Sequence, residues 1–404
     1  VSSALTLAAV RENSAFSSGT VFVSNSAAND GFSEKLNVSL GTLSGSGIVM
    51  AGNVNLVAAG GTSSVLQVSL GDTSIAGAKS GTLLASYVSD GSGTSGLAAI
   101  GAGSQLLTVS GSVYRVAVGS LGVESLNLGN VRVGGTLSSG VVTVGNNAST
   151  DGFSDLLVVN KTGTGNFTAE SGSLTLSAGT FANVNVGYTG VVTGSGLANG
   201  AGVMSGSVLF GLTSRGQDGT GLSDFTLTSQ TLNVTATVYR SATGSLISGG
   251  TVLANGATLS LGATRIGQTF AGTALVDVKN AQVTGDAYSE KLDAVISGTF
   301  GSALGSGSVS LLSAGDVAGG TLNLGFGGAT FASVGVKSGS VLVGFNTNGD
   351  GTSGLGIATA GSQTVNLSGT VYRMAVGTLA SSTLTLAAVR VGSAFSSGTV
   401  FVSN

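Results

Sequence analysis

The tripeptide Val-Tyr-Arg occurs three times, as Val113-Tyr114-Arg115, Val238-Tyr239-Arg240 and Val371-Tyr372-Arg373. The copies stand about 120–135 residues apart, so the chain is internally repetitive on the scale of a whole domain. A second marker keeps the same spacing: an apolar strand running into arginine. It reads Leu5-Thr6-Leu7-Ala8-Ala9-Val10-Arg11, Leu126-Asn127-Leu128-Gly129-Asn130-Val131-Arg132, Leu259-Ser260-Leu261-Gly262-Ala263-Thr264-Arg265 and Leu384-Thr385-Leu386-Ala387-Ala388-Val389-Arg390. A third marker, Asp30-Gly31-Phe32-Ser33 and Asp151-Gly152-Phe153-Ser154, becomes Asp286-Ala287-Tyr288-Ser289 in the third copy. A period this long excludes short-rung β-helices, whose repeats run roughly 20–25 residues.

Within each period the pattern is that of strands. Short runs of Val, Leu, Thr and Phe are separated by Gly, Ser, Asn and Asp clusters, and no segment sustains a helical period. In the first repeat this predicts strands at Leu5–Val10, Thr20–Ser24, Lys35–Leu40, Asn53–Ala58, Val65–Leu70, Gly81–Val88 and Leu106–Arg115. Seven strands in such a length match one β-sandwich. Leu36-Asn37-Val38-Ser39-Leu40 alternates cleanly, as a strand with one wet face does. In Thr20-Val21-Phe22-Val23-Ser24 three apolar residues run together, and the buried face is left open. The expected fold is therefore all-β, with tandem Ig-like β-sandwich modules in a linear array. The modules are placed at 1–115, 116–240 and 241–373, and 374–404 supplies the first strands of a fourth.

Both ends carry nearly the same segment. Val1–Asn25 and Ala380–Asn404 differ only at Val1/Ala380, Ala4/Thr383, Glu12/Val391 and Asn13/Gly392. Two strands alone cannot bury their apolar faces. The expectation is that further strands follow in a longer array, or that a neighbouring molecule's sheet takes them up by strand complementation. No signal-peptide pattern stands at Val1, so that start reads as a processed end or the edge of a longer sequence.

Composition narrows the chemistry. The chain contains no His and no Cys, so the usual zinc and copper ligands, Ser-His or Cys-His nucleophile pairs and disulfides are all missing. Its charged residues are only 8% of the total, with a net charge of −3, which offers no basic stripe for nucleic acid. No apolar run reaches the roughly 20 residues of a transmembrane helix. The expectations are no catalytic, cofactor-binding or metal residues, no cofactor, and folding that a chelator does not affect.

The run Leu126-Asn127-Leu128-Gly129-Asn130-Val131-Arg132-Val133-Gly134, a Val-Thr-Val strand, Asn146-Asn147 and Asp151-Gly152-Phe153 together resemble the choice-of-anchor D repeats. Asn25-Ser26-Ala27-Ala28-Asn29-Asp30-Gly31-Phe32-Ser33-Glu34 and Asp350-Gly351-Thr352-Ser353-Gly354-Leu355-Gly356 are similar in style. Those repeats are Ig-like modules similar to the ASPM/SPD-2/Hydin class, found in large secreted or surface proteins of bacteria. The resemblance covers all three modules. It implies a surface-displayed sandwich array without known catalysis, and it carries over no active-site residues.

Several residues admit a functional and a plain reading. The loops Ser89–Gly96 and Asn346–Gly354 are rich in Gly, Asp and Asn, as calcium loops are, but each holds one carboxylate, and the expectation is an ordinary turn. In Asp-Gly-Phe the Asp-Gly is expected to make the turn and Phe32 or Phe153 to drop into the sandwich as a core plug. Lys35 and Lys291, in Ser-Glu-Lys-Leu, raise an intramolecular isopeptide bond to asparagine; Leu156 stands at that place in the second module, and a solvated strand edge explains the lysines as well. Tyr114, Tyr239 and Tyr372 could stack on carbohydrate. The favoured reading makes each a plug at a module junction, with the following Arg fixing the next module's first strand. The short apolar stretches after them, Val116-Ala117-Val118-Gly119 and Met374-Ala375-Val376-Gly377, favour stiff junctions.

The function expected is structural: an extracellular or bacterial cell-surface repeat protein forming a filament, sheath or stalk, and no enzyme. The alternative is an adhesin whose array spaces a distant binding domain. Partners expected are further modules or copies of the chain, with polysaccharide or cell-surface contact as a lesser reading.

Overall fold

The computed structural model describes residues 3–45, 47–327 and 331–404. Val1 and Ser2, the opening of the terminal repeat and of the first module, lie outside them. The chain is all-β. Among the described residues the helical structure is one 3-10 turn at Ala198–Gly200. No helix among the described residues is long and apolar enough to cross a membrane. The chain folds as two compact units. One holds Val1–Gly129, Leu137–Gly190 and Ser205–Ala236; the other holds Asn130–Thr136, Val191–Met204 and Thr237–Asn404.

The first unit opens with a sandwich. One sheet runs in the order Ala4–Thr6, Ile100–Tyr114, Gly77–Asp90, Lys35–Gly45, Val54–Val57, and Val10–Arg11 also pairs with Ile100–Tyr114. The other sheet is Gly19–Ser24, Thr62–Leu70, Ile48–Ala51. Alternation explains why they close on each other: Val21, Val23, Leu66 and Val68 on one sheet meet Leu83, Leu107 and Val109 on the other in a single core. Phe22 is the residue of its apolar run that turns outward, which decides the face the sequence leaves open.

The predicted strand Leu5–Val10 is in fact two short strands. Both run parallel to Ile100–Tyr114, with Thr6 opposite Ser110 and Val10 opposite Val113. Four steps on one strand answer three on its partner, so the chain bulges at Leu7-Ala8-Ala9 and re-aims Arg11. The third sandwich repeats this: Ser260 opposes Ser368 and Ala263 opposes Thr370, with Gly262 at φ +79° in the bulge. A side chain there would strain the left-handed backbone. Ile48–Ala51 is a strand that the sequence reading does not mark.

The first unit also contains most of the second sandwich. One sheet is Gly119–Leu121, Gly140–Asn146, Phe181–Tyr188, Phe167–Ala169; the other is Ser125–Arg132, Gln230–Tyr239, Gly202–Arg215, Leu156–Gly163, Leu174–Leu176, with Phe225–Thr226 paired to Gly202–Arg215. Val142, Val144, Val184 and Val186 of one sheet and Leu157, Val159, Phe210 and Leu232 of the other are buried.

The second unit holds the third sandwich. Its sheets are Thr251–Val252, Gly244–Ser248, Ala274–Asn280, Val317–Phe326, Ala303–Ser306, and Ala257–Arg265, Ala358–Tyr372, Gly335–Asn348, Lys291–Gly301, Ser308–Leu312. They close over Leu246, Val276, Leu322, Leu324, Leu292, Val341, Val343 and Leu367. After it, Thr378–Leu379 pairs antiparallel with Val402–Ser403. The same antiparallel pairing opens the second and third sandwiches, where Gly119 opposes Asn146 and Gly244 opposes Asn280.

Candidate functional site

The recurring markers converge at the start of the second and third sandwiches. Each site grows from a loop that follows an asparagine. Asn146, fully buried, donates its amide to the carbonyls of Asp155 (3.1 Å) and Leu176 (3.2 Å) and accepts from the backbone N–H groups of Val118 and Ala148. Asn280 does the same with Glu290 and Leu312, Thr243 and Gln282. One side chain thus bonds four backbone groups of the loop and the strands beside it.

Within the loop, Asp151 accepts from the N–H of Phe153 at 3.0 Å, and Gly152 sits at φ +86°. Asp286 accepts from Tyr288 at the same distance. In the third copy the left-handed glycine is Gly285, before the aspartate, so Ala287 needs no such backbone. This accounts for the change from Asp-Gly-Phe to Asp-Ala-Tyr.

Two arginines enter each loop. Arg115 is anchored by its own backbone: its N–H donates to Phe153 O, and its carbonyl accepts from Asp155 N, both at 3.0 Å. Its Nη1 lies 2.7 Å from both oxygens of Asp151 and 3.1 Å from Ser154 Oγ. Arg240 is held alike between Tyr288 O and Glu290 N, and its guanidinium bonds Asp286, Ser289 Oγ and Asn199 O. The second arginine comes from the bulged strand. Arg11 Nε donates to Asp155 Oδ2 at 2.8 Å, and Arg132 Nε donates to Glu290 Oε2 at 2.6 Å. Both carboxylates are fully buried.

A hydroxyl completes each clasp. Ser214 donates to Asp155 Oδ2 and accepts from Ala117 N, both at 2.8 Å. Thr347 donates to Glu290 Oε2 at 2.6 Å and accepts from Ala242 N at 2.9 Å. Ser353 adds a bond to Glu290 Oε1. Asp155, one methylene shorter, leaves Oδ1 without a partner among the described residues, because Thr220 donates to Gln217 O instead. Rings pack alongside at a tilt, Tyr114 against Phe153 (5.7 Å between centroids) and Tyr239 against Tyr288 (6.0 Å).

The structure corrects two sequence expectations. Phe153 is not a core plug; it lies half-buried against Tyr114, and Phe32 projects with 94% of its surface exposed. The junction arginines hold the Asp loop, not the next sandwich's first strand. Tyr114 and Tyr239 do pack at the junctions, whereas Tyr372 is 59% exposed. In the sequence reading Glu34 and Glu290 entered beside Lys35 and Lys291, with Glu34-Lys35 taken as a solvated strand edge, and Asp155 went unmarked. Their signal was a second acid four residues after the loop aspartate in every copy, in a chain with only 17 acidic residues.

Lys35 and Lys291 make no hydrogen bond to an asparagine among the described residues; Lys35 lies near Asp90, and Lys291 lines an open cleft with Asp286 and Gly351. Asp90 caps its own turn through Ser92 N (2.8 Å) and accepts from Asn37 (2.7 Å), and Asn348 caps the other loop through Asp350 N. No group of three potential metal ligands occurs among the described residues.

The Arg115 hydrogen bond, then the Phe153 N–H, hold the Asp151 carboxyl below the usual carboxylate range. For Asp286 partial burial opposes ionisation, but Arg240 and the Tyr288 N–H outweigh it, and the net direction is also downward. A depressed carboxylate stabilises the fold above its unfolded value and loses that contribution as pH falls through the folded one. Carboxyl-carbon NMR should therefore show both groups protonating below the usual range, and Arg115→Gln should return Asp151 toward it. An unshifted Asp151 in the parent chain would contradict the pairing.

These sheets and junctions define a tandem Ig-like β-sandwich repeat protein. No protein-family model matches the sequence, and no curated protein matches it either. Among solved structures it is similar to the human desmocollin-1 ectodomain, at 11% identity and a TM-score of 0.34, over 94% of this chain and 62% of that one. It is also similar to mouse cadherin-23 EC22–24 at 10% identity and 0.33, over 92% and 96%. Titin domains I67–I69 are similar at 10% and 0.29, over 92% and 96%. The fold assignment rests on the sheets themselves.

Proposed function

We propose that this chain is a structural, extracellular repeat protein, built into a filament, sheath or stalk at a bacterial surface, and that its junction clasps are its working parts. One observation carries this reading: the same set of asparagine, acid, hydroxyl, aromatic and two arginines is rebuilt at both junctions. Each set joins the end of one sandwich to the start of the next. Only Val116 separates Arg115 from Ala117, and the backbone of both is hydrogen-bonded into the second sandwich. Such a junction lacks the slack of a flexible linker. Its buried carboxylates are engaged by guanidinium and hydroxyl groups, as suits contacts that hold two sandwiches together. The resemblance to choice-of-anchor D repeats supports a secreted bacterial setting.

Immunogold electron microscopy of intact source cells tests this. Label on an extracellular filament, sheath or stalk is expected. A stalk ending in a distinct tip would favour the adhesin spacer, and label confined to the cell interior would overturn both.

A further inference from the structure

The two clasps share their parts but not their number of bonds. At the second junction Asn130 donates to Ser353 O at 2.7 Å, Arg132 Nη2 donates to Gly356 O, and Ser353 Oγ donates to Glu290 Oε1. These three bonds tie the bulged strand and the buried acid to one loop, 349–357, between the strands Gly335–Asn348 and Ala358–Tyr372. A fourth fastens Arg240, whose Nη1 donates to Asn199 O at 3.0 Å.

Among the described residues none of the four has a counterpart at the first junction, and the residues show why. Ala9 stands where Asn130 stands, and a methyl group cannot donate. Arg11 Nη2 and Asp155 Oδ1 are both buried without a partner. Thr220 stands four residues after Gly216, as Ser353 stands four after Gly349, but its hydroxyl goes to Gln217 O at 2.7 Å. Asn199 lies in a long connection, 189–201, that includes the 3-10 turn at Ala198–Gly200. The matching connection in the first sandwich spans only 71–76. Arg115 Nε has instead Glu12 Oε1 at 3.9 Å, an oxygen that already accepts from Ala76 N.

Solvent also reaches further into the first clasp. Arg115 and Asp151 keep 20% and 46% of their side chains exposed, against 7% and 25% for Arg240 and Asp286. The bulge Leu7-Ala8-Ala9, Tyr114 and the facing residues Asp218 and Thr220 line an open cleft of about 540 Å³. At the second junction the Asn130 bond joins those two walls. Ion pairs open to water hold less strongly than buried ones.

We propose that the junctions form a graded pair: under load or on warming, the first clasp opens while the second stays shut. This ordering rests on the clasp reading of the junctions. Each hydrogen bond favours the closed state by a net factor of roughly two to ten, so a deficit of four sets the order decisively. A chain built this way gives at one defined joint while the other holds.

Amide hydrogen exchange followed by NMR on the full chain tests this, because the two clasps carry matched amides. Arg115 N donates to Phe153 O and Asp155 N to Arg115 O; Arg240 N donates to Tyr288 O and Glu290 N to Arg240 O. Corrected for intrinsic rates, Arg115 and Asp155 should be protected at least about tenfold less than Arg240 and Glu290. Asn130→Ala, which puts at the second junction the residue that the first already carries, should lower protection at Arg240 and Glu290 about two- to tenfold. Ala9→Asn should raise it at Arg115 and Asp155. Equal or reversed protection in the parent chain, or variants that leave the gap unchanged, would overturn the proposal. So would clasp amides that exchange only together with those of the central strands Gly202–Arg215 and Gly335–Asn348, since the junctions would then open by global unfolding alone. Arg11→Gln and Arg132→Gln separate the two readings. If each lowers protection at its own junction while the parent's junctions are protected equally, the clasp reading stands and the ordering falls. If neither does, the clasp reading falls and the ordering with it.

Discussion

Arg11→Ala is expected to destabilise the first unit by about 3–5 kcal/mol, because it strands a buried carboxylate. Asp155 has no exposed side-chain surface, and its remaining side-chain partner would be the Ser214 hydroxyl at 2.8 Å. Arg11 itself keeps 15% of its side chain exposed and lies 5.9 Å over the Phe225 ring, so part of the loss is packing. The pair is not expected to be worth that much in absolute terms. Desolvating two charges offsets most of their attraction, and both Arg11 Nη2 and Asp155 Oδ1 are buried without partners among the described residues. The double variant Arg11→Met/Asp155→Leu should therefore recover most of the loss, since Ser214 can still accept from Ala117 N. Urea denaturation followed by circular dichroism would read both. A single variant that costs nothing would show that the carboxylate is reached by water. A double variant as unstable as the single would show that the loss is not electrostatic.

Asn146→Ala should be comparably severe, at about 3–5 kcal/mol, since it removes four hydrogen bonds to backbone groups and each buried group left unpaired costs roughly 1–3 kcal/mol. This amide bonds the carbonyls of Asp155 and Leu176 and the N–H groups of Val118 and Ala148. Asn146→Asp is nearly isosteric but turns the amide donor into an acceptor facing two carbonyls, so it should be at least as harmful. Thermal unfolding distinguishes this from a size effect. An Asp variant much closer to the parent than the Ala variant would mean that shape, and not hydrogen bonding, holds the loop.

The β-sandwich class was legible because strand alternation and turn chemistry are local properties. Val21 and Val23 face the core at the period of two that their spacing announces, and Asp-Gly makes the turn that its backbone permits. The Val-Tyr-Arg repeat announced where sandwiches meet, because few residue types other than Tyr and Arg cover apolar surface while reaching a charged partner. The partners themselves were not legible. Arg11 and Asp155 stand 144 residues apart, and Arg132 and Glu290 stand 158 apart, so no local pattern ties one to the other. Phe32 and Phe153 occupy the same motif, yet one is bare and the other packed against Tyr114. The sequence by itself determined the strands, the turns and the period. Which acid lies buried, which arginine neutralises it, and which copy of the motif stays uncovered were decided by what tertiary packing set against each loop, because ion pairing and burial depend on distance in space and not along the chain.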